Sequence, residues 1–478
     1  MSITRCLALL LLLPACLHAA PAAEQWFTVL LDGRKTGSLE LRREARDGAV
    51  VTTQKLDLEL DRDGSRVAVQ SVDTATEKDD GTPLAFSSRS RFSGADVVVK
   101  GTVRDGRIEA VIHSGGEAHQ RQLDWPTDAL LAEGMRLAAR RAGLMPGTRH
   151  SMLAFQPAAL EAMRLDAVVG DAEPVELPGG TLRLHPVRQA MRMGGATLDI
   201  QTWVDAEHDV HKMVMPMLGV ELTLLACDRA CALAANQPGD IFARSLLRSP
   251  RPLSRGELAG ALRYTLEIRG DGDSAGFPDT HHQAARRGDG HWRVTVDAAG
   301  AAGHSNAPPR AADSAPSEWL QSSAPDIIAL ARRAVGDAEA PAARMQRIEA
   351  FVRGYIQDKT LGVGYASALE VARNPQGDCT EHALLLAALG RAAGVPTRVV
   401  FGLAYTPSFA GQEQVFVPHA WTEAYVDGNW QGFDAALAGF DAGHLALSIG
   451  DGDPWRFYAG LDLIGRLAIR GIEPAGRD

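Results

Sequence analysis

Leu56, Leu58 and Leu60 alternate with Asp57, Glu59 and Asp61, and that alternation leaves the backbone little choice. A strand sends successive side chains to opposite faces, so this run has one buried face and one wet face. A helix would scatter the leucines around its circumference. The same signature recurs through residues 24–245. Trp26 to Leu31 and Ser38 to Arg42 flank a glycine-bearing connection, which reads as a hairpin. Val67 to Val69, Asp96 to Thr102 and Ile108 to Ile112 continue the pattern, with Asp-Gly turns among them. Strands resume near Arg164 to Val169, Thr181 to His185, Leu198 to Val204 and Val220 to Leu225. One helix interrupts, from about Thr127 to Ala142, ended by Gly143. The expectation is an antiparallel β-rich domain, either a half-barrel around that helix or a sandwich. Met191, Met193, Met213, Met215 and Met217 recur at period two and read as one face of two strands.

Residues 246–305 predict a small β unit and linker. Leu262 to Arg269 and His291 to Asp297 read as strands around a turn-rich stretch containing Asp279-Thr280-His281-His282, expected to be a solvated loop. Ala298 to Ser317 is rich in Ala, Gly, Pro and Ser and reads as a connector. From residue 306 to 478 the pattern changes to helices followed by strands, an α+β domain. Pro325 to Arg333 is a helix with proline in its first turn. Ala342 to Gln357 carries Met345, Ile348, Val352 and Ile356 on one face, and a short helix follows near Ala366 to Ala372. After these, Pro396 to Ala404, Ala420 to Val426 and Asn429 to Phe433 read as strands, the last two joined by Asp427-Gly428.

The chemistry gathers between those helices and strands. Gly377-Asp378-Cys379-Thr380-Glu381-His382-Ala383 runs into an alanine- and leucine-rich segment that ends at Gly394. Asp378 is placed as an N-cap, so Cys379 falls at a helix start, where unpaired N–H groups and the helix dipole favour an anionic nucleophile. His419 follows 40 residues later and Asp434 another 15 after that. A nucleophile, a base and a carboxylate to orient the base are thus supplied in the order Cys, His, Asp. Glu423 shares a strand face with His419, but lies ~13 Å away at ~3.3 Å per residue, too far to orient it.

Residues 1–20 read as a secretory signal peptide: Arg5, a short apolar run from Leu7 to Leu13, then small residues. The chain is therefore expected to be exported to the periplasm. Leu13-Pro14-Ala15-Cys16 resembles a lipobox, but proline is a poor fit there, so a lipid anchor at Cys16 is the lesser expectation. No stretch is apolar for long enough to span a membrane. Cys227 and Cys231 are placed to close a small disulfide loop, which leaves Cys379 as the odd thiol. A net charge of −10 without a basic stripe argues against nucleic acid as a partner.

Residues from about 320 to 460 resemble the bacterial transglutaminase-like superfamily, whose core is a papain-like α+β fold. The resemblance rests on Gly377-Asp378-Cys379 with Glu381-His382-Ala383, on Arg391-Ala392-Ala393-Gly394-Val395-Pro396-Thr397-Arg398-Val399, on His419-Ala420-Trp421 with Glu423, and on Phe433-Asp434. It implies Cys379 as nucleophile, His419 as base and Asp434 as the residue that orients the histidine. Ala435 and Ala436 stand where the family often has proline and threonine. The implied reaction is acyl transfer on a peptide or other amide, including cell-wall amides, through a Cys379 thioester, ending in hydrolysis or amine cross-linking. The Cys379 backbone N–H is the first expected oxyanion donor, with Gln376 and Trp421 as weak candidates for a second or for a site wall. No EF-hand-type loop is present, and no metal or other cofactor is expected. The alternative is a catalytically idle scaffold or binding protein of the periplasm.

Overall fold

The computed structural model describes residues 22–62, 65–92, 95–114, 117–193, 196–217, 220–237, 246–269, 276–288, 290–300, 302, 307–358, 366–452 and 463–476. Residues 1–20, read above as a signal peptide, lie outside the described residues, and Cys16 with them. The chain divides into two compact units, one reaching Ile241 and one from Phe242 to Asp478.

The first unit is built on one sheet of sixteen strands. From Ala22–Leu31, seven strands step outward in sequence order to Glu117–Asp124, each antiparallel to the last. The other edge of Ala22–Leu31 pairs with Val220–Cys227, from which the sheet runs back through Val210–Met217, Ala196–Val204 and Gly180–Met193 to Arg149–Gln156. All of this is one hydrogen-bonded, largely antiparallel sheet, and it curls on itself. The curl is shown by residues far apart along the sheet. Phe86 on one arm and Phe155 on the other have ring centroids 5.2 Å apart. Both belong to a buried cluster with Val99, Ile108 and Ile112.

The helix inside this sheet is Ala132–Ala142, shorter than the sequence suggests. Ala129–Leu130 instead forms a short strand parallel to Arg149–Gln156. The helix start is fixed by buried charge. Glu77 accepts the Glu133 and Gly134 backbone N–H groups at 2.6 and 2.8 Å, and Arg43 Nε donates to Glu133 at 2.9 Å. A carboxylate at a helix N-terminus is favoured by the dipole. Met191, Met213 and Met215 are buried, as one packed face of their strands. Cys227 and Cys231 form a disulfide, their Cα atoms 6.0 Å apart, across a short helix capped by Asp228.

The second unit corrects the expected boundary at residue 306. Ala261–Ile268 pairs on one side with Trp292–Asp297 and on the other with Leu467–Pro474, near the end of the chain. The segment 246–305 is therefore no separate unit. Its strands complete a four-stranded sheet whose last member comes from some 200 residues away, a pairing that local sequence does not announce. Helices Pro325–Val335, Pro341–Tyr355 and Ala368–Arg373 surround the helix Cys379–Ala392, in which every residue from Thr380 to Arg391 is buried. A helix buried on every side belongs at the centre of a core. The second sheet of this unit places Gln412–Val426 against Thr397–Phe409, whose other edge pairs with His444–Gly450. Thr422 Oγ1 donates to the Ala383 carbonyl at 2.9 Å and Thr397 Oγ1 to the Ala387 carbonyl at 2.8 Å, which pins the central helix to this sheet. Among the described residues no helix is long and apolar enough to cross a membrane.

Candidate active site

The turn before the central helix is held by its own side chains. Asp378 accepts the Thr380 N–H at 2.9 Å, and Glu381 reaches back to the Asp378 N–H at 2.9 Å, a capping box. Cys379 is the first helical residue and is partly exposed. Glu381 is buried, also accepts the Ala366 N–H at 3.0 Å, and its carboxyl is pushed up to about 8 by burial and then by neighbouring Asp378. Gly377 has φ +145°, and a Cβ there would lie 2.4 Å from Glu381 Cγ. Gly377→Ala is therefore expected to cost roughly 1–3 kcal/mol by forcing a disfavoured backbone conformation against the cap. Urea unfolding of the variant beside the wild type measures it; an unchanged midpoint overturns this reading of the turn.

Among the described residues, no strand pairs with the stretch around His419 on one edge of its strand. Leu247–Arg248 pairs with Phe416 and Val415 on one side of it, and Asn429–Phe433 pairs from Thr422 to Val426 on the other. Asp434 leaves this second neighbour immediately after Phe433. Its backbone is anchored by the helix Pro341–Tyr355: Glu349 accepts the Asp434 N–H at 2.8 Å and Arg353 donates to its carbonyl at 2.9 Å. Asp434 Oδ1 accepts the Ala436 and Leu437 N–H groups at 2.8 and 3.1 Å. That leaves Oδ2 for the His419 Nε2, at 2.8 Å. The thiol of Cys379 hydrogen-bonds with the same imidazole, and with Nε2 on Asp434, Nδ1 is the nitrogen left for it. The three residues read from the sequence thus meet in one chain, two buried and the thiol partly open.

Burial opposes a charge on His419, but the Asp434 carboxylate and Cys379 outweigh it and push the imidazole up to about 10. Burial likewise opposes the Asp434 charge, yet the two histidines beside it hold its carboxyl well below the usual range. The second of these histidines is His444, which the sequence reading missed. Its Nε2 lies 3.0 Å from Asp434 Oδ2. The only local signal was Asp441, three residues earlier, which faces His444 Nδ1.

The other residues considered fall into supporting places. Trp421 is buried, its ring 6.3 Å from that of His419, and it packs with Val400, Ala446 and Phe440 as a wall beneath the histidines. Gln376 is half-buried, its backbone in a bridge with Asp358. Glu423 pairs with Arg398 at 2.6 Å. The histidine pair expected in a solvated loop is corrected at His282. That ring is buried, accepts the Gly432 N–H at 3.1 Å and packs 4.5 Å from Phe440. Burial lowers it to about 4, so it serves as a neutral acceptor beside the strand Asn429–Phe433.

Residues 328–435 match the family model of the transglutaminase-like superfamily, so the second unit contains a transglutaminase-like region. The match supports a cysteine-type enzyme. No curated protein matches the chain. Among solved structures, a β-barrel-like protein with a domain of unknown function from Brucella abortus is 13% identical, covering 44% of this chain and 98% of its own, with TM-score 0.35. A candidate cysteine protease from Cytophaga hutchinsonii is 17% identical, covering 45% of this chain and 87% of its own, with TM-score 0.27. A candidate protease from Parabacteroides distasonis is 11% identical, covering 75% of this chain and 69% of its own, with TM-score 0.21.

Proposed function

We propose that the second unit is a cysteine-dependent acyl-transfer enzyme that opens amide bonds through a Cys379 thioester, in a protein exported to the periplasm. The observation that carries the reading is the hydrogen-bonded chain from Cys379 through His419 to Asp434. His419 takes the thiol proton, and the sulfur attacks the amide carbon as the carbonyl electrons move to oxygen. The Cys379 backbone N–H, at the first helical position, is a donor for that oxyanion. Collapse of the intermediate expels the amine, which leaves with the proton held by His419. Water or a second amine then attacks the thioester, with His419 as base, and the thiol is restored. Peptides and cell-wall amides are the substrate class that an exported enzyme of this chemistry meets. Export is supported by the leader-like residues 1–20 and by the disulfide, which persists in oxidising compartments.

The test is alkylation of Cys379 in the full mature chain near pH 6, followed by intact mass, with His419→Ala beside the wild type. The wild type is expected to react about 100-fold faster, the lower end of what a positioned base contributes. Equal rates would sink the catalytic reading and leave a scaffold protein in its place.

A further inference from the structure

His444 is a buried titratable group that a Cys-His-Asp triad has no use for. It is 2% exposed, in the strand His444–Gly450, and both its nitrogens are engaged by acids. Nε2 lies 3.0 Å from Asp434 Oδ2, the oxygen that also accepts His419 Nε2 at 2.8 Å. Nδ1 lies 3.0 Å from Asp441 Oδ1, which the Gly443 N–H holds in place at 2.8 Å. An oxygen with two ring nitrogens against it needs a proton on each of them, so His444 carries its Nε2 proton. At Nδ1 both protonation states are served. An imidazolium donates to Asp441 Oδ1, and a neutral ring accepts the Asp441 N–H, 3.2 Å away. The ring can gain or lose its charge without moving.

We propose that His444, backed by Asp441, is a positioning residue of the acyl-transfer site: it locks the Asp434 carboxylate and, as an imidazolium, draws part of that carboxylate's charge away from His419. This rests on the acyl-transfer reading above. The consequence is chemical. An aspartate engaged by His419 alone holds the imidazolium proton tightly, which suits the base but not the acid that must protonate the leaving amine. A second cation on the same oxygen weakens that hold. The same ring also leaves Asp434 no second orientation, since Oδ1 is already committed to two backbone N–H groups.

The charged and titratable groups around His444 are few and placed. Asp434 and His419 face its Nε2 side. Asp441 faces its Nδ1 side, and the Tyr264 hydroxyl fixes that loop through the Ala442 carbonyl at 2.6 Å. His282 approaches from the neighbouring sheet and is held neutral by burial. Glu349 and Arg353 act on Asp434 from behind, through its backbone. Burial opposes a charge on His444, and the two aspartates overcome it.

The experiment is the rate of Cys379 alkylation by iodoacetamide in the full mature chain, from about pH 5 to 11, read by intact mass. A thiolate–imidazolium pair gives two steps, the upper one belonging to the imidazole of His419. His444→Gln keeps an N–H toward Asp434 and removes the charge. The upper step is expected to move up by about one pH unit, the direction that loss of a neighbouring like charge produces. Asp441→Asn, at a side chain 36% exposed, removes the acid that sustains the imidazolium, and is expected to move the step the same way by less. It keeps the test alive if His444→Gln does not fold. A merely structural His444 would slow alkylation evenly and leave the step in place. Two steps in the wild type that depend on His419 but stay fixed in both variants overturn the role of His444 alone. A single ordinary step indifferent to His419→Ala overturns the acyl-transfer reading, and this role with it.

Discussion

Asp434→Asn is expected to slow thioester formation at Cys379 about 10⁴-fold while leaving the fold in place. The wiring of the carboxylate dictates both halves of that result. Oδ1 accepts two backbone N–H groups, from Ala436 and Leu437. An asparagine must turn its carbonyl to that position, because the amide nitrogen there would face two donors. Its NH2 group then points where Oδ2 was, at the Nε2 atoms of His419 and His444. A donor opposite Nε2 forces that nitrogen to accept, so the His419 proton moves to Nδ1, the side of the thiol. In that tautomer the imidazole cannot take the Cys379 proton. The NH2 carries two hydrogens, enough for both rings, so the variant loses no hydrogen bond and should fold. Cys379 alkylation at neutral pH and trapping of an acyl-enzyme from a peptide ester report the rate, and circular dichroism reports the fold. A variant within tenfold of the wild type would show that Asp434 does not set the tautomer.

What the sequence disclosed about this site was its local part. The Asp378 cap and the place of Cys379 at a helix start follow from residues adjacent in the chain, as does the Asp427-Gly428 turn, where both residues take positive φ. His419 and Asp434 were legible through a motif, and the strand pairing that joins them spans only 15 residues. His444 was not legible, because the strand His444–Gly450 reaches Asp434 only by pairing with Thr397–Phe409, some 40 residues earlier. The burial of His282 escaped for the same reason. Its partner is the Gly432 N–H, 150 residues away in sequence. In the first unit, alternation located the strands but not their order. Period two says which side chain faces inward, and it is silent on which edge meets which. The closure of Ala22–Leu31 against Val220–Cys227, which makes one curled sheet of sixteen strands, is of that kind.

The stability of the second unit is expected to fall as the pH rises from about 6.5 to 10, by up to about 5 kcal/mol for His419 alone. Its imidazole is pushed up to about 10 in the folded chain, from the ordinary value near 6.5. Between those limits the folded state holds a proton that the unfolded state has lost, so each rise in pH favours unfolding. The contribution is complete below about 6.5 and gone above about 10. Asp434 carries the opposite sign. Its carboxyl is held low when folded, so its contribution is present above the unfolded value of about 3.9 and lost only as the pH falls below it. These two shifts describe one interaction from its two ends and must not be added. Glu381 works in the same direction as His419 through a lower window. Burial raises it to about 8 from 4.5, so the folded state again holds the extra proton as the pH climbs between those values. Hydrogen exchange of the helix Cys379–Ala392, followed from pH 6 to about 10 with intrinsic rates divided out, isolates this unit from the other. Loss of protection across that span is expected in the wild type. His419→Gln should remove the part that continues to about 10, and Glu381→Gln the part that ends at about 8. A helix whose protection is flat from pH 6 to about 10 would mean that His419 is not held charged by Asp434, and the ion pair at the centre of the site would have to be withdrawn.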